Sequence, residues 1–134
     1  MRHPFAWLFT LLLSACAAPA TTFVAPSAAG KPGAEVSKLV AASEAKLFPC
    51  NISAVKRSDG ADAADLGGSH KSDVTLPAGR YRVILLCTSG YHSFRPQADV
   101  AARAGKTYHI TGYLVDDSIT IFNMKMSAKV AELP

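Results

Sequence analysis

The sequence has no run of about 20 apolar residues, the length a helix needs to cross roughly 30 Å of hydrocarbon. Its longest apolar run, residues 5–13, holds eight apolar residues and one threonine. A permanent transmembrane helix is thereby excluded. Strong one-signed charge is also missing. The formal charge is +4, spread along 134 residues, and the densest basic cluster is Lys56-Arg57, followed at once by Asp59. A nucleic-acid stripe would be denser. No C-x-x-C pair is present, which argues against a thioredoxin-like redox motif or a zinc site. No H-x-H or H-x-x-x-H spacing joins His70, His92 and His109. No G-x-S-x-G elbow presents a serine nucleophile. Adjacent carboxylates such as Asp116-Asp117 supply too few oxygens for calcium, and a turn is their natural home.

The N-terminus has the three-part layout of a secretory signal. Arg2 and His3 are positive, residues 5–13 are apolar, and Ser14 and Ala15 are small. Residues 1–15 are therefore set apart as a leader. The chain that remains is long enough for one domain. Three cysteines are an odd number for an exported protein. Cys50 and Cys87 are expected to pair, because an exported chain meets an oxidising compartment. The loop they close, about 38 residues, would stabilise the fold by roughly 4 kcal/mol in the chain-entropy description. A redox pair and a metal thiolate site are the alternatives.

Residues 17–34 are alanine, proline, glycine, serine and threonine almost throughout. Ordering them returns little buried surface, so residues 16–34 read as a flexible tether of roughly 25 Å reach. Residues 35–45 fit a helix and a strand equally well. From there the pattern is short strands and turns. Strands are expected at 47–56, with Cys50, Ile52 and Ala54 on one face, and at 71–76. Residues 58–72 read as a long polar, mobile loop. Pro77-Ala78-Gly79 reads as a turn. Residues 80–87 begin by alternating and end solidly apolar, as a central strand covered on both faces would. An edge strand is expected at 97–103, a turn at Ala104-Gly105-Lys106, and a hairpin from strands 107–115 and 119–125. Residues 126–134 carry no clear pattern. The whole predicts a mainly β domain over 35–134, a small antiparallel sandwich of six to seven strands.

Two resemblances add to this reading. Leu13-Ser14-Ala15-Cys16 resembles the lipobox of bacterial lipoproteins. That likeness implies a lipid on Cys16, cleavage before it, and, with Ala17 rather than aspartate following, the periplasmic face of an outer membrane. Two or three acyl chains anchor stably where one is marginal. Further on, the chain reads Val74-Thr75-Leu76-Pro77-Ala78-Gly79-Arg80-Tyr81-Arg82-Val83, then Gly90-Tyr91, then Ala104-Gly105-Lys106-Thr107-Tyr108. Residues 74–114 thus resemble the PEGA-type and transthyretin-like sandwich modules of bacterial surface proteins, and small lipoproteins with a similar turn pattern. The likeness implies a binding or structural domain of the envelope, with no catalytic residues and no cofactor to carry over.

Candidate sites follow from residue chemistry. Tyr91, in a connection, and Arg80, Arg82 and Arg95 are the candidate partner-binding residues. Tyrosine offers contact area with a polar tip, and Arg80 and Arg82 alternate around Tyr81. Tyr108 and Tyr113 read as sheet filling. Ser89, His92 and Asp99 hold the residue types of a hydrolase triad without its local context. His109 with Met124 and Met126 holds soft ligands for copper(I), or else a methionine-filled sheet surface. The expectation is a non-enzymatic, lipid-anchored envelope module that contacts the membrane through its lipid and another envelope component through loops or an edge strand. A metal-handling protein, or a hydrolase using residues 88–99, is the alternative.

Overall fold

The computed structural model describes residues 21–115 and 124–134. The expected leader, Cys16 and Asp116-Asp117 lie outside the described residues. Among the described residues, ten strands form two facing sheets: β1 (Thr22–Val24), β2 (Val36–Ser43), β3 (Cys50–Arg57), β4 (Asp62–Ala64), β5 (Asp73–Pro77), β6 (Gly79–Ser89), β7 (His92–Phe94), β8 (Gln97–Ala102), β9 (Thr107–Leu114) and β10 (Met126–Glu132). Seven of these strands have five or more residues, which meets the expected number. The other three, β1, β4 and β7, have three residues each and lie beside longer ones. Sheet I runs β1-β5-β2-β9-β10. In sheet II, β4-β3-β6 is flanked by β7 and β8, which both pair β6. Sheet II is antiparallel, but sheet I contains two parallel pairs, β1–β5 and β2–β9.

Alternation explains the core. On β6, Tyr81, Val83, Leu85 and Cys87 face inward and are buried, as are Leu39 on β2, Val74 and Leu76 on β5, and Tyr108 and Ile110 on β9. Period-two burial on both sheets stacks two apolar faces into one layer. Cys50 and Cys87 are register partners on neighbouring strands and form the expected disulfide. Gly112 of β9 faces them from sheet I. A Cβ there would stand 2.6 Å from Cys50 Sγ and 3.0 Å from Cys87 Sγ. The bare backbone of β9 therefore makes room for the cystine. Ser37 is buried and donates to the Arg103 carbonyl at 2.6 Å, tying β2 to the turn after β8.

Several sequence expectations change. Of residues 35–45, which fitted helix and strand equally, Val36–Ser43 are strand, because β2 lies between β5 and β9 and is completed by both. Residues 21–34, read as tether, are largely held on the sandwich. β1 pairs β5, and Ala25 and Ala28 are buried. Small side chains suit a close approach that composition alone reads as emptiness. The polar segment 58–72 is not a mobile loop. It carries β4, buries Ala64 and Leu66, and is pinned by Asp59 and Asp65, whose carboxylates accept from the Ala61 and Gly67 amides. Aspartate stabilises turns in this way.

In β3, Ile52 faces Leu85 while Ala54 faces Ile84, so Ser53 is an extra residue. This bulge reverses the inward parity, and Val55 rather than Ala54 enters the core. Ala78 is a one-residue bend carrying the chain from sheet I to sheet II, not a hairpin turn. Gly79 has no positive φ. It leaves room for the Tyr81 ring, whose hydroxyl would be 3.1 Å from a Cβ at 79. β6 is central but covered on one face, since Ile84 and Leu86 are half-buried on the outside. The expected turn at Gly105 forms, with a positive φ of 79°. β9 pairs antiparallel with β10, which begins at Met126, and residues 119–123 of the expected hairpin strand lie outside the described residues.

Candidate functional site

The outer face of sheet II carries an open groove of about 660 Å³. Its geometry follows from β6. Arg80, Arg82 and Ile84 alternate with the buried Tyr81 and Val83, so all three face outward. β3 and β8 complete the rows. Lys56, Arg82 and Asp99 stand in register across three strands, with Ala101 beside Arg80 and Gln97 beside Ile84. Lys56 reaches this face because of the bulge at Ser53. Arg57, at the end of β3, closes one side.

The charges are unequally satisfied. Arg82 Nε donates to Asp99 Oδ1 at 2.9 Å, and its Nη2 to Oδ2 at 3.4 Å. This bond to Arg82 holds the Asp99 carboxyl below the usual carboxylate range. Lys56 donates to Asp62 on β4. Among the described residues Arg57 and Arg80 have no ion-pair partner. The groove is therefore a cationic rim over the partly covered Ile84. Beneath the rim, the Tyr81 hydroxyl donates to the Pro77 carbonyl at 2.6 Å. Burial pushes the pKa of this hydroxyl up, and the charge of Arg57 partly opposes that shift. The arrangement suits an anionic group with an apolar part. Guanidinium forks match carboxylate and phosphate oxygens.

The residues singled out from sequence do not all converge. Arg80 and Arg82 share the groove. Tyr91 sits at the opposite end of β6, on the two-residue turn to β7, where Gly90 takes a φ of 56° and the ring is fully exposed. Nine residues of strand separate Ser89 from Arg80, about 30 Å. Arg95 donates to Ser53 Oγ at 3.2 Å. Ser89 and His92 face each other across β6 and β7. Asp99, however, faces Arg82, about 23 Å further along the strand, and is already bonded there. That trio is not assembled. His109 lies on the outer face of sheet I and Met126 on the inner face beside the cystine, so they do not share a site. His70 is exposed, far in sequence from both. Tyr108 is buried and its hydroxyl accepts from the Arg103 amide at 2.8 Å. Tyr113 lies on the outer face of sheet I under the Lys129 ammonium.

Sequence reasoning missed Lys56, Arg57, Ile84 and Gln97 as groove residues. Ile84 was within reach, because continuing the Arg80–Arg82 alternation by two residues arrives at it. Lys56 was hidden by the bulge, because unbroken alternation from Cys50 and Ile52 would turn it inward. No family model, curated protein or solved structure matches the chain.

Proposed function

We propose that this chain is a non-enzymatic binding module of the bacterial cell envelope, held by lipid on Cys16 at the periplasmic face of an outer membrane. It uses the basic groove of sheet II to hold an anionic envelope component. The observation that carries the binding role is the pair of guanidinium groups, Arg57 and Arg80, set beside Ile84 with no ion-pair partner among the described residues. The lipobox-like Leu13-Ser14-Ala15-Cys16 supports the anchor. The Cys50–Cys87 disulfide is consistent with an oxidising compartment. The likeness to PEGA-type modules fits the same role.

A photo-crosslinking residue at Gln97 in the full chain, expressed in cells, tests the groove. It is expected to give a discrete adduct that falls at least tenfold when Arg57 and Arg80 are both changed to glutamate. An adduct of unchanged yield in that variant would remove the groove from the function. Cys16→Ala is expected to move the protein from the membrane to the soluble fraction.

A further inference from the structure

Strand directions give the sandwich two distinct ends. β2, β6 and β9 run toward one of them, and β3 starts from it. That end carries the loop before β3, the β6–β7 turn and the exit of β9. Among the described residues, four large apolar or aromatic side chains are exposed: Val24 (47%), Leu47 (76%), Tyr91 (106%) and Val115 (55%). Three of the four, Leu47, Tyr91 and Val115, are on this one end. The segments that carry Leu47 and Tyr91 leave the same end of the β3–β6 pair, where the amide of Thr88 donates to the Pro49 carbonyl. The exposed Lys46 and Lys125 flank them, and neither has an ion-pair partner among the described residues. The groove of Arg57 and Arg80 lies at the far end.

The chain also reaches the domain from this side. β1 is parallel to β5, which runs antiparallel to β2, so β1 heads away from the Leu47–Tyr91 end. Thr21, just before it, accepts from the Ser72 amide at 2.7 Å. Five Cα steps separate Thr21 from Cys16, and even fully extended they span at most about 18 Å. A tether this short cannot carry the anchor round to the groove end.

We infer that the Leu47–Tyr91–Val115 end is a membrane-contacting face that lies on the bilayer surface, with the basic groove turned away from it. This rests on the lipid anchor proposed for Cys16. Tyrosine at the headgroup level and leucine and valine below it are the side chains an interface favours. Lys46 and Lys125 extend their stems along the surface toward the headgroups. Short tether and apolar end act together: the anchor supplies proximity and the end face supplies orientation.

The test uses the lipidated full-length product in vesicles of phosphatidylethanolamine and phosphatidylglycerol whose acyl chains carry bromine. The only tryptophan, Trp7, lies in the leader that maturation removes. Single tryptophans at Leu47, Tyr91 and Ala101 are therefore clean probes. Leu47→Trp and Tyr91→Trp are expected to shift to the blue and lose at least half their emission to brominated chains. Ala101→Trp, beside Arg80, is expected to lose none. Vesicle-bound protein in which all three probes escape quenching, or are quenched alike, overturns the orientation and leaves the anchor standing. So does a concentration-dependent dimer that covers Leu47 and Tyr91 with no quenching by lipid. If Cys16→Ala protein floats with vesicles as the native protein does, the anchor itself fails, and this inference with it.

Discussion

Of the glycines, Gly112 leaves the least room for a side chain. Its missing side chain is the space the cystine occupies, so the two sheets meet there backbone to sulfur. Adding one methyl overpacks the site, which typically costs about 1–3 kcal/mol. Gly112→Ala is expected to lose that much stability in urea unfolding. The loss should shrink by more than half when Cys50 and Cys87 are both alanine, since the obstructing sulfurs are then gone. Equal losses in the two backgrounds would mean the sulfurs are not what the glycine accommodates.

At the scale of elements, the crossing from β5 to β6 is made by one bend at Ala78 and fastened by Tyr81. The ring folds over Gly79 and its hydroxyl donates to the Pro77 carbonyl, so strand end and strand start are tied across the two sheets. Tyr81→Phe is expected to cost about 1 kcal/mol, the worth of one such hydrogen bond. The pH dependence follows from its raised folded pKa. The contribution is complete below the unfolded value near 10 and is lost as pH rises through the folded one. Thermal unfolding should therefore show a constant gap between native and Tyr81→Phe proteins up to about pH 10, and a narrowing gap above it. A gap that widens with alkali would contradict the burial of the hydroxyl. The bulge at Ser53 acts on the same scale. It reverses the facing of β3, so Val55 enters the core and Lys56 joins Arg82 outside.

For the whole molecule, the cystine is the largest single constraint. It joins the first residue of β3 to the eleven-residue central strand, inside the core and against sheet I. Replacing both cysteines with alanine should lower stability by roughly 4 kcal/mol, in the chain-entropy description. For a domain near 100 residues, that amounts to about 15–30 °C in melting temperature. A calorimetric shift under about 5 °C would show that the loop is already confined in the unfolded chain. The exposed pairs Arg82–Asp99 and Arg103–Glu132 add little by comparison, because water screens them.

Much of this was legible residue by residue. The two-residue period of Arg80, Tyr81, Arg82 and Val83 fixes inside and outside on β6 without any partner, because a strand's side chains alternate by covalent geometry. The turn at Gly105 and the pairing of Cys50 with Cys87 were equally local or compartmental readings. What pairs with what was not legible. The parallel union of β2 with β9 joins residues about 70 apart in sequence, and β1 becomes a strand only because β5 offers it an edge. Composition alone therefore read residues 21–34 and 58–72 as loose. The sequence by itself determined a β domain with alternating faces and a cystine, since these depend on side-chain chemistry and near neighbours. Only the tertiary structure decided the bulge, the basic groove and the shared end of Leu47, Tyr91 and Val115, because register and strand direction are set by contacts between distant segments.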